Sequence, residues 1–246
     1  MMVLKRPKAC FTDNKYCPGC GHGIINRLIA EVLEETGDDR KALAAIGVGC
    51  GSWMPDTFGI DCVQAQHGRA AAVACGMKRC RPDNIVFSYQ GDGDALAIGF
   101  SETMYAAIRN ENITVILVNN GNFGMTGGQM SPTTLEGQRT STSPQGRDCS
   151  LSGYPLDVVE LLRTLHVAYI ARVAITDVAG VRRAKESIRT AFNAQRDRRG
   201  FSFIEVLSPC PTNWKLDPVA SLKYIKDTVE SVYPLCEYKL WEEQDD

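Results

Sequence analysis

No stretch of this sequence reaches the roughly 18 consecutive apolar residues that a membrane span needs, so no membrane-spanning helix and no membrane partner is expected. The segment 1–8 has no apolar run long enough for a secretion signal, and the expected location is the cytoplasm. A concentrated basic surface is also missing. The formal net charge is −2, and the basic residues are scattered apart from Arg196-Asp197-Arg198-Arg199, which reads as a solvated helix end, so nucleic acid is not an expected partner. There is no internal repeat and no low-complexity segment, which excludes a repeat array. A second Cys-x-x-Cys motif is absent too, which leaves the one at Cys17 and Cys20 in need of ligands from elsewhere in the chain.

What is present is enough apolar material, 44% of 246 residues, for one substantial core. A helical period of apolar residues marks 22–35. Buried-type strands are predicted at 42–48, 85–89, 113–118, 167–172 and 202–207. Helices are predicted at 68–79, 95–109, 156–165, 178–196 and 219–232. This alternation predicts an α/β fold: a parallel, twisted sheet with helices on both faces. It reads as a single domain over 1–246, with an N-terminal Cys-x-x-Cys segment at 14–22 and a C-terminal tail at 233–246. Residues 121–153 hold many Gly, Ser, Thr and Pro, and a connection that long reads as a functional loop.

Ligands of such sheets bind beyond the carboxyl ends of the strands. Two segments lie there, Gly91-Asp92-Gly93-Asp94 and Asn119-Asn120-Gly121-Asn122. Asp92 and Asn120 offer hard oxygen ligands, and the backbone carbonyl of Asn122 could add a third, a set suited to magnesium bound against a diphosphate. Gly91 and Gly93 allow close backbone approach. A helix expected to begin near Ala95 would aim free N–H groups at the anion. Taken alone, Gly-Asp-Gly is an ordinary turn; the Asn pair at the next strand end is what favours a site.

Ten cysteines are many for a reducing compartment, and metal or cluster ligation accounts for some of them better than disulfides do. Cys17 and Cys20 bracket a tight turn. Cys50 and Cys210 each follow a strand end and could approach them. Four thiolates suit zinc and an iron–sulfur cluster equally, and spacing does not choose. Cys10, Cys62, Cys75, Cys80, Cys149 and Cys236 read as small hydrophobes, with Cys10 and Cys236 open to exposure near the termini.

Gly-Asp-Gly followed by Asn-Asn at this distance resembles the thiamine diphosphate enzymes. With Cys17-Pro18-Gly19-Cys20-Gly21-His22, His67-Gly68-Arg69 and Gly124-Met125-Thr126-Gly127-Gly128-Gln129, the sequence resembles the β subunit of 2-oxoacid:ferredoxin oxidoreductases over most of residues 14–215. The resemblance implies magnesium held by Asp92, Asn120 and the Asn122 carbonyl. It implies thiamine diphosphate lined by Gly49, Cys50, Gly51, His67, Gly91, Gly93, Asp94, Gly124, Met125 and Thr126. It also implies a [4Fe–4S] cluster on Cys17, Cys20, Cys50 and Cys210. His67 and Thr126 each have a simpler alternative, a helix-start polar residue and a loop-capping hydroxyl. His22 is read as a helix cap and not assigned to the site.

The implied activity is oxidative decarboxylation of a 2-oxoacid to acyl-coenzyme A and carbon dioxide, with electrons passing through the cluster to ferredoxin. An α subunit is expected to supply an essential carboxylate, and γ and ferredoxin-like δ subunits to complete a hetero-oligomer. Some relatives carry a lysine just after the third cysteine to meet a second substrate carboxylate; here Cys50-Gly51-Ser52-Trp53 has none. This favours a branched-chain 2-oxoacid such as 2-oxoisovalerate, with 2-oxoglutarate the alternative if a cation comes from a partner or from Arg69. Two other classes compete. A non-oxidative thiamine enzyme leaves the four cysteines without a role, and a non-catalytic iron–sulfur electron-transfer subunit leaves the diphosphate motif without one.

Overall fold

The computed structural model describes residues 6–241, so the N-terminal reading on 1–5 and the last part of the tail, 242–246, lie outside the described residues. The strands are β1 (Leu43–Ile46), β2 (Asp61–Gln64), β3 (Val86–Gly91), β4 (Thr114–Asn119), β5 (Asn122–Phe123), β6 (Gln129–Met130), β7 (Tyr169–Ala174), β8 (Ser202–Leu207) and β9 (Cys236–Lys239). Seven of them form one sheet in the order β2-β1-β3-β4-β8-β7-β9. All of its pairings are parallel except that of β9 on β7.

The helices are α1 (His22–Thr36), α2 (Ala70–Cys80), α3 (Phe100–Ile108), α4 (Cys149–Ser152), α5 (Val158–Leu162), α6 (Val178–Arg196), α7 (Pro211–Trp214) and α8 (Pro218–Tyr224). Helices α1 and α6 cover one face of the sheet with Ile25, Ile29, Ile188 and Phe192. Helices α2, α3 and α5 cover the other with Ala71, Ala107, Val158 and Leu162. In β4 the alternation is visible residue by residue. Ile116 and Val118 enter the first core, while Val115 and Leu117 enter the second. A strand buried on both faces reads as a continuous apolar run, which is why the central strands were legible.

The α/β fold with helices on both faces is as expected, with four local corrections. Strand β2 was missed because it is an edge strand of polar sequence whose side chains are mostly exposed. Strand β9 was missed inside the segment set apart as a tail; its antiparallel pairing makes the sheet mixed rather than wholly parallel. The helix expected over 95–109 begins earlier and is divided. A wide, π-helical turn runs Gly93–Ile98, starting directly at Asp92, and α3 follows after Gly99. The terminal helix over 219–232 is likewise divided, α8 leading into a wide turn at Ile225–Val229. Cys10 and Cys236, open to exposure on sequence grounds, are half-buried against the two cores.

Candidate active site

Strand β3 runs into the wide turn without a linker, so Asp92 stands at the turn's first position with its side chain 1% exposed. Its Oδ2 accepts hydrogen bonds from Ser131 Oγ at 2.5 Å and Thr133 Oγ1 at 2.6 Å. Its Oδ1 is buried with no partner. Burial pushes the carboxyl up to about 6, against the two hydroxyls, which pull it down. An unpartnered oxygen of a buried carboxylate is costly unless a cation or donor meets it.

One turn on, Asp94 is fully engaged. Its Oδ1 accepts from the Gly68 and Val48 N–H groups at 2.9 and 3.2 Å, and its Oδ2 from Gln90 Nε2 at 2.6 Å. His67 Nδ1 lies 2.5 Å from Asp94 Oδ1, a close polar contact rather than an aligned hydrogen bond. Asp94 thus ties three segments together: the end of β1, the approach to α2, and β3. Gly47 permits the closest of these approaches, since a Cβ there would collide with Asp94 Oδ2.

The end of β4 turns sharply. Asn119 Oδ1 accepts from Gly121 N–H at 3.0 Å, and Asn120 Oδ1 from Asn122 N–H at 3.2 Å. Asx bonds of this kind close a turn without help from a second strand. Trp214 Nε1 and Asn122 Nδ2 both donate to the Asn120 carbonyl, at 3.1 and 2.9 Å.

All of the residues expected at the diphosphate and at magnesium line one cleft of about 520 Å³, its solvent mouth included: Gly49, Cys50, Gly51, His67, Gly91, Asp92, Gly93, Asp94, Asn120, Asn122, Gly124, Met125 and Thr126. A side chain at Gly93 would collide with the Phe123 ring at 2.5 Å, so only glycine leaves the backbone open there. Thr126 donates its hydroxyl to Gln129 at 2.6 Å, so the loop-capping role is present alongside its place on the wall.

The four expected thiols form a second neighbourhood that meets the first at Cys50. Cys20 N–H donates to the Cys17 carbonyl at 3.0 Å, closing the tight turn. Burial, then the nearby Cys210, Cys50 and Cys17, push the Cys20 thiol up to about 12, although the His22 N–H at the start of α1 points at its sulfur. Burial, then Cys210 and Cys17, push Cys50 up to about 11. Among the described residues no three His, Cys, Asp or Glu side chains close on a single metal ion.

Several participants were not foreseen. Ser131 and Thr133 come from the long loop and orient Asp92. Asn213 donates to the Gly124 carbonyl at 2.9 Å and to Cys210 Sγ at 3.3 Å, joining the cysteines to the cleft. His22, read as a cap, is 2% exposed and lines the cleft. Its Nδ1 is 2.6 Å from the Tyr89 hydroxyl and its ring stacks on Tyr16. Burial pushes it down to about 4, so it is a neutral imidazole at pH 7. Arg69 pairs with Glu102 and does not line the cleft.

Residues 47–206 match the thiamine pyrophosphate enzyme C-terminal TPP binding domain. The chain is 44% identical over 229 residues to the ketoisovalerate oxidoreductase subunit VorA of Methanothermobacter thermautotrophicus, covering 93% of this chain and 48% of the relative. It thus spans about half the length of that relative. It is 38% identical over 218 residues to the 2-oxoglutarate synthase subunit KorB of Methanothermobacter marburgensis, covering 86% of this chain and 73% of the relative. A solved 2-oxoglutarate:ferredoxin oxidoreductase from Magnetococcus marinus, with 2-oxoglutarate, coenzyme A and succinyl-CoA bound, superimposes with a TM-score of 0.76 at 29% identity, covering 92% of this chain and 74% of that one. No helix among the described residues is long and apolar enough to cross a membrane.

Proposed function

This chain belongs to the 2-oxoacid:ferredoxin oxidoreductase family, in its thiamine pyrophosphate-binding subunit, and from that premise we propose that it is the β subunit of an enzyme that oxidatively decarboxylates a branched-chain 2-oxoacid to its acyl-coenzyme A. Asp92 Oδ1, Asn120 and the Asn122 carbonyl hold magnesium. The fit rests on Asp92 Oδ1, a buried oxygen that a cation would satisfy. Bound thiamine diphosphate supplies an electron sink for loss of carbon dioxide. Cys17, Cys20, Cys50 and Cys210 would hold a [4Fe–4S] cluster, which would supply a one-electron acceptor on the way to ferredoxin.

The chain's own residues set the stage for that chemistry. Gly93 lets the diphosphate reach the first turn after β3, where free N–H groups favour an anion. Asp94, held by four contacts, fixes the strand ends and the His67 ring. Asn213 and Trp214 clamp the 120–124 turn onto the cysteine segment. The single observation that carries the reading is Cys50, which lines the cleft and also lies among the other three thiols.

The substrate preference rests on what the cleft wall offers. It contains no lysine or arginine, and it presents Val48, Phe123 and Met125. A second carboxylate would find no lysine or arginine there. The greater identity to the ketoisovalerate relative than to the 2-oxoglutarate relative points the same way. A 2-oxoglutarate preference would need a cation from a partner subunit. An α subunit supplies the missing carboxylate for the thiamine ring, γ and δ subunits complete the complex, and coenzyme A is the acyl acceptor. Anaerobic purification with iron, sulfide and thiamine analysis tests the cofactors, and dithionite should bleach a broad absorbance near about 400 nm. A preparation with thiamine but no iron would defeat the redox reading. Turnover of 2-oxoglutarate well above 2-oxoisovalerate would defeat the substrate.

A further inference from the structure

Behind the cleft lies a buried polar chain that no part of the proposed chemistry uses. Arg172 of β7 and Glu205 of β8 are 2% and 0% exposed. Arg172 Nε donates to Glu205 Oε2 at 2.6 Å, and its Nη2 donates to Asp157 at 2.5 Å. Its guanidinium lies 5.1 Å from the centre of the Tyr233 ring, and Tyr233 in turn donates to the Thr133 carbonyl at 3.1 Å. On the other side, Glu205 Oε1 accepts from Asn119 Nδ2 at 2.7 Å.

That last bond has a directional consequence. An ionised carboxylate only accepts. Asn119 must therefore present its NH2 to Glu205 and its carbonyl oxygen to the opposite side. There, Asn119 Oδ1 takes the Gly121 N–H at 3.0 Å and lies 2.9 Å from Thr133 Oγ1. The Gly121 bond closes the turn, at φ +67°, that carries Asn120 and Asn122. The Thr133 hydroxyl, 2.6 Å from Asp92 Oδ2, leaves Oδ1 of that carboxylate free.

From this arrangement we infer that Glu205, anchored by Arg172, is a positioning residue for the diphosphate–metal site: it locks the Asn119 amide in one orientation and so holds the turn that carries Asn120 and Asn122 in register. The inference rests on the reading of the Asp92 cleft as a metal–diphosphate site. A buried ion pair replaced by apolar residues is often neutral or stabilising, so stability alone does not account for charged residues at two central strands. Outer partners of metal ligands commonly contribute 10- to 100-fold to metal affinity.

The test uses the full chain in the assembly in which it purifies, with Mn²⁺ in place of magnesium and thiamine diphosphate as the second probe. Mn²⁺ affinity is read by electron paramagnetic resonance, and stability by urea unfolding without either probe. Glu205→Gln and Asn119→Ala should each weaken thiamine-dependent Mn²⁺ binding by about 10- to 100-fold. The double variant should lose no more than the worse single one, because both break the same link. Affinities unchanged in Asn119→Ala overturn the inference, whatever happens to the fold of Glu205→Gln. Additive losses overturn the shared link. A wild-type protein that binds no Mn²⁺ with thiamine diphosphate sinks the underlying reading as well, whereas wild-type binding with unaffected variants sinks the inference alone.

Discussion

Strands β3 and β4 carry buried polar groups at both ends, and the two ends are finished differently. At the amino ends one amide, Gln195 of α6, completes the circuit. Its Oε1 accepts from the Val86 N–H at 2.7 Å and from Lys78 Nζ at 3.2 Å, and its Nε2 donates to the Val86 carbonyl and to Thr114 Oγ1 at 2.9 and 3.0 Å. At the carboxyl ends, Asp92 Oδ1 and Gln90 Oε1 are buried and unpartnered. The amino ends also have such atoms, the Asn112 carbonyl oxygen and the Ser202 hydroxyl, but those belong to neutral groups. Among the described residues, only at Asp92 does the unpartnered oxygen belong to a carboxylate. One end therefore leaves only neutral groups without partners. The other retains a buried carboxylate oxygen without a partner, the kind of electrostatic cost that functional sites keep at the expense of stability.

The sharpest way to break this contrast is Asp92→Asn. The amide keeps the shape and can still accept from Ser131 and Thr133, but it offers no negative charge to a cation. Magnesium-dependent binding of thiamine diphosphate should fall by more than about 100-fold, beyond what outer partners usually contribute. Without ligands the variant should unfold at the same urea concentration as wild type or a higher one, because a buried charge has been removed. Calorimetric titration and urea melts check the two halves separately. A variant that loses stability and keeps its ligand would abolish the distinction between the ends.

Gln195→Ala probes the opposite end and should give the reverse result. It leaves the Val86 N–H without its partner in a dry environment and removes one donor each from the Val86 carbonyl and Thr114 Oγ1; a buried group left without a partner costs about 1–3 kcal/mol. A loss of about 2–4 kcal/mol is expected in urea unfolding. Affinity for thiamine diphosphate in the protein that remains folded should stay within about twofold. A large fall in affinity would mean that the two ends are coupled through the sheet.

The same contrast explains what was legible in the sequence. The central strands were readable because burial on both faces leaves an apolar run, and the strand ends that line the cleft because Gly-Asp-Gly and Asn-Asn cluster at strand termini. Ser131, Thr133 and Asn213 were not readable. Each reaches the site across a long sequence separation, and the loop that brings the first two has no period to betray its path. His22 was missed for a different reason. Beside Cys20 at a helix start, a cap is the simpler local reading, and only the packing of Tyr16 and Tyr89 around its ring turns it into the cleft. Strand β2 lacked an apolar pattern because one side of it is open, and the division of the helix after Asp92 has no signal except Gly99. The partnership of Arg172 with Glu205 needed the pairing register of β7 and β8, which sets those two residues side by side.

The smallest expected effect concerns the charge at the amino ends. Lys78 is 8% exposed, and burial pushes its ammonium down to about 8 from an ordinary 10.5. The unfolded chain therefore binds the Lys78 proton more tightly than the folded chain does. Below about pH 8 both states are protonated, and burial of the charge is a constant penalty. Between about 8 and 10.5 the folded state sheds the proton first, so the penalty fades and stability rises with pH. Lys78→Met has no such group. Wild type should gain on this variant by about 1 kcal/mol between pH 8 and 10, once solvent screening of a partly hydrated ammonium is allowed for. Urea melts of both proteins at pH 7, 8, 9 and 10 measure the gap. Parallel curves would mean that the Asn84 and Gln195 oxygens solvate the ammonium as well as water does. A wild type that falls behind would mean that they solvate it better, which would make the amino ends a place where the fold supplies for a cation what the carboxyl ends leave undone for an anion.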